Sequence, residues 1–194
     1  MYVKEKLEIN TDKLYYGFPV VLLGYKDDRF KYNATTISSS YSLKDTLTIG
    51  VKSESHSAAN IKKYGEFTLN VPSDKLLGEV EVCGFFSGHN KLQQADLTYE
   101  IAKTIDAPVI DDCFLTLECK VVHCYDHHGY THFVADITNR LVDNDLIDEE
   151  GNFRIGEIDT IHFTGCNELR QYRFLKEEKA TKGDFIYTSD NCCG

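Results

Sequence analysis

The feature that most constrains the fold is a long stretch of alternating apolar and polar residues, CFLTLECKVVHCYDHHGYTHFVADITNRLVD, at positions 113–143. Its apolar positions recur at every second residue, at Leu115, Leu117, Cys119 and Val121, and the pattern continues at Phe133, Ala135, Ile137 and Leu141. His128 and Gly129 interrupt the alternation near its middle. Because side chains in a β-strand point alternately to the two faces, this pattern predicts a long β-hairpin.

Four further segments have the character of strands. Residues 18–28, FPVVLLGYKDD, are a short apolar run that Pro19 opens, and residues 29–38 follow as the expected hairpin partner. Residues 45–52, DTLTIGVK, and residues 66–72, EFTLNVP, alternate apolar and polar side chains. Their length, their alternation and their β-branched residues predict β-strands.

Two segments carry helix signals. In residues 53–65, SESHSAANIKKYG, either Ser55 or Ser57 can serve as the N-cap and Gly65 is a stop signal. Residues 73–88, SDKLLGEVEVCGFFSG, begin with a Ser-Asp cap and have apolar residues at helical spacing. We therefore predict a helix in each segment.

The remaining segments give weaker signals. Pro108 predicts irregular structure between residues 97 and 112. The residues after 151 are polar and aromatic, and they end in a segment that carries Cys192 and Cys193. We predict a loose terminus there, without a redox role for the two cysteines.

The order of these segments predicts the fold class. Strands and helices do not alternate regularly, which argues against a doubly wound parallel sheet. A mainly β fold with peripheral helices, built as an antiparallel barrel, fits better. We predict a single domain over residues 1–194, with a core at about 14–172 and a C-terminal tail at about 173–194.

Composition excludes several classes of function. Lys and Arg number 21 against 31 Asp and Glu, which gives a net charge of −10, and no long basic patch argues for nucleic acid as a partner. No apolar run approaches the roughly 18 residues of a membrane span. The N-terminus, MYVKEKLEINTDKL, lacks the apolar core of a signal peptide, so we expect the cytoplasm.

A run of small uncharged hydrogen-bonding residues, YNATTISSSYSL, lies at positions 32–43. Its candidate ligand-binding residues are Asn33, Thr35, Thr36, Ser38, Ser39 and Ser40. Hydroxyl and amide groups donate and accept hydrogen bonds without carrying charge, which suits a polar, phosphorylated ligand. A solvated strand edge explains the same composition, and the run alone leaves both interpretations open.

The start of the first predicted helix is a candidate phosphate site. A helix N-terminus presents unpaired N–H groups and the positive end of the helix dipole. Lys52, Ser53, Ser55 and Ser57 lie there and can add further hydrogen bonds. Plain helix capping is the alternative interpretation.

The hairpin invites a metal interpretation because it is rich in potential ligands, namely Cys119, His123, Cys124, His127, His128 and His132. Their spacing is not that of a zinc finger, and His123 and Cys124 point to opposite faces of a strand. We therefore predict no metal site. The chain also lacks Gly-rich dinucleotide, P-loop, metalloprotease and nucleophile-elbow motifs, and we predict no catalytic side chain.

Taken in order, four of these segments resemble the flavin-reductase-like FMN-binding split-barrel family, which includes the flavoredoxins. They are FPVVLLGYKDDRFKYNATTIS, TLTIGVKSESHSAANIKKYGEFTLNVPS, VCGFFSGHNKL and APVIDDCFLTLECKVVH. The resemblance runs from about Gly17 to about Tyr172. It implies a homodimer of six-stranded antiparallel Greek-key split barrels that binds FMN near the subunit interface.

The resemblance also implies roles for individual residues. Asn33, Ala34, Thr35 and Thr36 would lie along the isoalloxazine ring, and Ser38, Ser39 and Ser40 would meet the ribityl chain or the phosphate. Lys52, Ser53, Ser55, His56 and Ser57 would form the phosphate turn, and Lys91 corresponds to a Lys that follows the Cys-Gly-x-x-Ser-Gly segment. The family often has an Arg or His at the position of Ser55.

Three functions are consistent with this resemblance. The first is an NAD(P)H-dependent flavin or acceptor oxidoreductase, with NADH or NADPH as co-substrate. The second is a flavoredoxin-like electron carrier that exchanges electrons with a protein partner and binds no nicotinamide. The third is a non-redox ligand-binding barrel. In the first two, the flavin supplies the chemistry and the protein supplies binding, orientation and electrostatics.

Overall fold

A computed structural model of the chain describes residues 6–167, 169–175 and 182. Its strands are β1 Leu14–Pro19, β2 Val21–Asp27, β3 Lys31–Ile37, β4 Ser40–Leu43, β5 Thr46–Lys52, β6 Glu66–Pro72, β7 Tyr99–Ile101, β8 Pro108–Ile110, β9 Cys113–His127, β10 Tyr130–Val142, β11 His162–Cys166 and β12 Leu169–Arg173. Its α-helices are α1 His56–Tyr64, α2 Leu77–Phe85 and α3 Lys91–Gln94. The predicted cysteine pair, Cys192 and Cys193, lies outside the described residues.

The main sheet is antiparallel, and within the described residues its strand order is β3-β2-β6-β9-β10-β5-β4. This confirms the mainly β fold with peripheral helices. The sheet has seven strands, whereas the resemblance implied six, because Ser40–Leu43 pairs with β5 as a short additional strand. Only Ser38 and Ser39 separate β3 from β4, so the Ser/Thr run lies at the seam between the two ends of the sheet.

The predicted long hairpin is confirmed as β9 and β10. Its turn consists of His128 and Gly129, with φ values of 46° and 77°. Positive φ at both positions is what a two-residue type I′ turn requires, and the twist of that turn matches the twist of paired strands. Tyr130 pairs with His127 directly beyond the turn.

The curved main sheet encloses one apolar core. Its side chains come from β2, β5, β6, β9, β10 and α1, and include Leu23, Ile49, Ile61, Phe67 and Phe133, all 1% exposed or less. Capping residues define the two ends of helix α1. Ser55 caps it by accepting a hydrogen bond from the backbone N–H of Ala58, and Gly65 ends it in the left-handed region with φ 71°. The sequence predicted both signals.

A second apolar core lies between β2 and β3, helices α2 and α3, and a separate sheet. Val80 and Cys83 of α2, Leu92 of α3 and Ala34 of β3 are buried in it. This packing places the C-terminal end of α2 beside β3, where the hydroxyl group of Thr36 donates to the backbone carbonyl of Val80 at 2.6 Å.

The separate sheet has the order β1-β11-β12 and corrects one expectation. Two of its strands come from the last forty residues, for which the sequence indicated only a polar and aromatic composition and a loose terminus. Pro19 was expected to open a strand, but it ends β1. The backbone N–H of Val20 donates to Ile161 beside β11, at 2.8 Å, and β2 begins one residue later.

One further expectation differs from the structure. Pro108 begins the short strand β8, which pairs with β7, where irregular structure was expected.

The polar face of β9 is buried in part. Thr116 and Glu118 alternate with the apolar residues of the hairpin, yet they are only 1% and 0% exposed. Glu118 accepts hydrogen bonds from the backbone N–H groups of Lys103 and Thr104, so a covering loop buries this face of β9.

None of the helices in the described part of the chain is both long enough and apolar enough to cross a membrane. In the same part, no three His, Cys, Asp or Glu side chains are grouped so that they could hold a metal ion.

Candidate functional site

A cleft of about 720 Å³ opens beside the seam of the main sheet. Its walls are β3, β5, the N-terminal end of α1, the C-terminal end of α2 and the sheet of β1, β11 and β12. This volume is in the usual range for a small-molecule or cofactor pocket.

The cleft brings together most of the residues that the sequence predicted for a ligand site. They are Asn33, Thr35, Thr36, Ser38, Ser39, Lys52, Ser55, His56, Ser57 and Lys91. Segments that are far apart in the chain supply them, so the prediction that they share one site agrees with their placement.

Three of the predicted site residues do not line the cleft. Ala34 is fully buried in the second core, because its neighbours along β3 alternate toward the other face. Ser53 turns toward the long hairpin, where its hydroxyl group accepts from Thr131 at 3.1 Å and lies 3.4 Å from a carboxylate oxygen of Asp126. Ser40 lies in β4, opposite Ile49, and is not among the lining residues.

Asn33 borders the cleft, but its side chain is fully engaged within the protein. Its Nδ2 donates to Asp27 Oδ2 at 3.1 Å and to the His89 carbonyl at 2.9 Å. Its Oδ1 accepts from the backbone N–H groups of Ala34 and Lys91, at 2.9 and 3.0 Å. Asn33 therefore positions the segment that carries Lys91, and its amide is not available to a ligand.

Other polar groups in the cleft are free. In the part of the chain that the structure describes, the hydroxyl groups of Thr35 and Ser38 have no hydrogen-bond partner, and neither do the backbone N–H groups of His56 and Ser57 in the first turn of α1. The Ser55 hydroxyl lies 3.1 Å from that of Ser57. These groups are available to a ligand in the cleft, and the N–H groups of His56 and Ser57 lie at the positive end of the helix dipole.

A buried carboxylate fixes the orientation of His56. Asp27 Oδ2 lies 2.6 Å from His56 Nε2. Burial opposes ionisation of Asp27, but hydrogen bonds from the backbone of Arg29 and from the side chains of Asn33 and His56 outweigh it and lower the pKa of the carboxyl group. An ionised carboxylate only accepts hydrogen bonds, so Nε2 carries the proton of this contact.

Four cations line the cleft: Lys13, Lys52, Lys91 and Arg170. Within residues 6–167 and 169–175, none of them has a carboxylate within 4.0 Å, whereas Lys26, Lys62, Lys63, Arg140 and Arg154 all form ion pairs. The cleft thus gathers four cations that have no ion-pair partner in the described residues, on a chain whose net charge is −10. No local pattern in the sequence pointed to Lys13 and Arg170, since 157 positions separate them and tertiary packing joins them.

Lys91 is the most buried of these cations, with 6% of its surface exposed. Its Nζ donates to the Cys83 carbonyl at 3.1 Å, which leaves further donors for a ligand. Burial lowers the pKa of Lys91 to about 8, although Cys83 and Asp27 act in the opposite direction. Burial also raises the pKa of the Cys83 thiol to about 11, so Cys83 is protonated at neutral pH and is a poor nucleophile.

Aromatic side chains supply the apolar surface of the cleft. Those that line it are Tyr15, Tyr25, Phe85, Phe86, Tyr130, Phe163 and Tyr172. Sequence alone does not mark them as ligand-binding, because aromatic residues on strands and helices more often belong to a core. Together with hydroxyl, amide and ammonium donors, they fit a planar ligand that carries phosphate.

Comparison with known proteins identifies the family. The family model described as a flavin reductase like domain matches residues 14–161 of this chain. The chain belongs to this family. Its membership confirms the resemblance seen in the sequence and supports a flavin as the cofactor of the flavin reductase-like domain.

Solved structures show the same fold. The domain superimposes on the flavoredoxin of Desulfovibrio vulgaris (Miyazaki F) with a TM-score of 0.82 and 22% identity, covering 94% of this chain and 99% of that one. For the flavoredoxin from Methanosarcina acetivorans the TM-score is 0.83 and the identity 23%, covering 94% of this chain and 97% of that one. For an FMN-binding protein from Thermus thermophilus the TM-score is 0.74 and the identity 13%, covering 93% of this chain and 99% of that one.

Relatives with higher identity match shorter segments. An uncharacterized protein of Archaeoglobus fulgidus is 37% identical over 93 residues, which are 47% of this chain and 51% of that protein. One of Pyrococcus abyssi is 32% identical over 77 residues, which are 40% of this chain and 45% of that protein. The matched part of the flavin reductase-like domain thus spans about half the length of these relatives.

Proposed function

We propose that this flavin reductase-like domain binds FMN in the cleft and works as an NAD(P)H-dependent flavin or acceptor oxidoreductase. The observation that carries the proposal is the combination of four unpaired cations, free hydroxyl groups and the open N-terminus of α1 in one aromatic-lined cleft. The unpaired cations and the open N-terminus of α1 suit a phosphate group. The free hydroxyl groups and the aromatic lining suit a planar polar ring.

The phosphate would lie at the first turn of α1. The free N–H groups of His56 and Ser57 and the Ser55 hydroxyl lie there, and Lys52 lines the same cleft. The dipole of an exposed helix contributes only about 0.3–1 kcal/mol, whereas micromolar binding requires about 8 kcal/mol. The hydroxyl and ammonium groups, together with contacts to the ring, must therefore supply most of the affinity.

The ring would lie along the seam. Thr35 and Ser38 would offer hydroxyl groups to its polar edge, and Lys91 would offer a buried positive charge. When bound, FMN would supply hydride and single-electron transfer chemistry. The residues of the chain would bind the ring, orient it and exclude water, and no protein nucleophile is required.

A second candidate function is that of a flavoredoxin-like electron carrier. The specific observation in its favour is that two flavoredoxins share the fold over 94% of this chain. Anaerobic mixing of the FMN-loaded protein with NADH or NADPH distinguishes the two. Loss of the flavin absorbance within seconds supports the oxidoreductase, and an unchanged spectrum with both nucleotides supports the electron carrier. A non-redox barrel remains only if no flavin binds.

We further propose a homodimer, as the family resemblance implies, with a small molecule or a protein as electron donor and acceptor. Neither nucleic acid nor a membrane is proposed as a partner, and the cytoplasm stays the predicted location. Sedimentation velocity measures the mass in solution. A species of twice the 22.1 kDa chain mass is expected, and a monomer at micromolar concentration would contradict this part.

The phosphate position is tested with two variants of Ser55. Asp and Asn are both good N-caps, so Ser55→Asp and Ser55→Asn preserve the helix and differ from each other mainly by one charge. We expect Ser55→Asp to weaken FMN binding at least about tenfold, which is about 1.4 kcal/mol, and Ser55→Asn to have a much smaller effect. Quenching of flavin fluorescence measures both affinities. Equal affinities for the two variants would rule out a phosphate beside Ser55.

A further inference from the structure

The sheet of β1, β11 and β12 contributes a wall of the cleft, and the family model covers only β1 of these three strands. Lys13, Phe163, Arg170 and Tyr172 all line the cleft and all lie outside residues 14–161. Segments on either side of the matched domain therefore add a charged and aromatic surface to the site.

Two cations lie close to one ring on this wall. Lys13 Nζ is 4.8 Å from the centroid of the Tyr15 ring, and Arg170 Cζ is 5.7 Å from the same centroid. Arg170 Nη1 donates to the Tyr15 hydroxyl at 3.0 Å, and Lys13 Nζ donates to the Ser39 hydroxyl at 3.3 Å. Both partners are neutral, so these contacts hold the cations in place without neutralising them.

Like charges held around one ring repel each other. Within the described residues, neither Lys13 nor Arg170 has a carboxylate within 4.0 Å. Arg has five N–H donors and Lys has three, and each uses only one of them in the contacts above. An anion with several oxygen atoms would relieve the repulsion and use the remaining donors.

The surroundings of the two cations are aromatic. The ring centroids of Tyr15 and Phe163 are 5.6 Å apart, and those of Phe163 and Tyr172 are 4.9 Å apart. The guanidinium carbon of Arg170 lies 5.0 Å from the Phe163 centroid. Rings beside phosphate-binding cations suit a ligand that joins a flat base to phosphate, as a nucleotide does.

The four cations of the cleft are divided between two walls, and the carboxylates Glu54 and Glu81 also line it. A second anion would therefore depend on the local pair of cations on its own wall and not on an excess of positive charge in the cleft as a whole. Lys52 and the first turn of α1 can serve one phosphate, while Lys13 and Arg170 belong to a different wall.

We propose that Lys13 and Arg170, together with the rings of Tyr15 and Phe163, form a second anion-binding subsite that takes the phosphate groups of a nucleotide co-substrate. The proposal rests on the proposed function in that it gives the electron-donating nucleotide a place beside the flavin. It adds a binding role for Lys13, Phe163 and Arg170, which lie outside the matched family domain.

The test measures binding of oxidised nucleotides, which do not react. Arg170→Gln and Lys13→Gln each remove one charge, and Arg173→Gln is the matched control, because it lies on the opposite face of the same strand. Isothermal titration with NAD⁺ and NADP⁺ is expected to show at least about tenfold weaker binding of the preferred nucleotide in Arg170→Gln and Lys13→Gln, and no more than about twofold weaker binding in Arg173→Gln. FMN affinity is expected to stay within about threefold in all three variants.

Several results would overturn the subsite. One is a wild-type protein that binds neither nucleotide, and another is unchanged nucleotide affinity in Arg170→Gln. Equal affinity for inorganic pyrophosphate and for the nucleotides would show that the rings recognise no base. If Arg170→Gln also weakened FMN binding to a similar extent, Arg170 would contact the flavin phosphate and there would be no second subsite. The proposal that the cleft binds FMN would not be affected by this result. Failure of the wild type to bind FMN would instead overturn the proposed function, and nucleotide binding that depends on Arg170 would still support the subsite.

Discussion

Buried polar residues set the geometry of the site at the scale of single side chains. Asp27 accepts hydrogen bonds from the backbone of Arg29 and from Asn33 and His56, so one carboxylate ties the turn after β2 to β3 and to α1. Asn33 extends this network to the backbone of Lys91. Because each of these groups has its partners, the site is held in shape before any ligand binds.

Lys91 makes the folding stability depend on pH in a defined direction. The unfolded chain keeps this proton up to about pH 10.5, whereas the folded protein loses it near pH 8. Between these values the unfolded state binds more protons, so the free energy of unfolding rises with pH. We expect the wild type to gain up to about 3 kcal/mol relative to Lys91→Met between pH 8 and pH 10.5, with no such trend below pH 7.

Urea unfolding of both proteins from pH 6.5 to pH 10 measures this difference. The comparison with Lys91→Met cancels the titration of the other groups. Lys75→Met, which changes an exposed lysine before α2, is the control and should show a flat difference. A flat difference for Lys91→Met as well would mean that the ammonium is solvated in the folded state.

At the scale of elements, the close approach of β2 to β8 depends on a glycine. A Cβ atom at Gly24 would lie 2.5 Å from Thr68 Oγ1 and would also overlap the carbonyl oxygen of Pro108. Thr68 donates to that same carbonyl at 2.5 Å, so the hydrogen bond and the packing share one crowded point. The strand pair can form only where no side chain separates the two backbones.

Gly24→Ala is therefore expected to destabilise the fold by about 3 kcal/mol, because β8 must move or lose its hydrogen bond. Gly78→Ala is the matched control, since a Cβ there has open space and lies in α2. It should stabilise the protein by about 0.5 kcal/mol through its higher helix propensity. Urea unfolding at pH 7 measures both, and a loss below 1 kcal/mol for Gly24→Ala would contradict the close approach.

For the molecule as a whole, folding places several cations in one cleft of an acidic protein. The chain carries a net charge of −10, yet its cleft gathers Lys13, Lys52, Lys91 and Arg170 without ion-pair partners in the described residues. Such a local field attracts a phosphorylated ligand in spite of the overall charge, because salt screens the distant carboxylates beyond about 8 Å.

FMN is expected to stabilise the whole fold by mass action. At a hundredfold excess over Kd the gain is about 2.7 kcal/mol, which for a domain of this size raises the unfolding midpoint by roughly 5–10 °C. Riboflavin, which lacks the phosphate, should give a smaller shift at the same concentration. Raising the salt concentration should reduce the advantage of FMN, since the cations are partly exposed. Equal shifts for FMN and riboflavin in thermal unfolding would mean that the cleft does not recognise phosphate.

Features that depend on local pattern and on spacing along the chain could be predicted from the sequence. The period-two alternation predicted the β9–β10 hairpin, Ser55 and Gly65 bounded α1, and the ordered segments indicated the fold and the family. Most of the candidate ligand-binding residues were also predicted, because hydroxyl runs and helix starts are visible in a single segment.

Features that depend on contacts between distant segments became visible only in the folded protein. Tertiary packing placed Ala34 in a core, engaged the amide of Asn33 within the protein, turned Ser53 toward the hairpin and buried Glu118 under a loop. It also brought Lys13 and Arg170 to one ring from the two ends of the described chain. No local pattern encodes such pairs, because the packing of whole sheets against each other determines which faces meet.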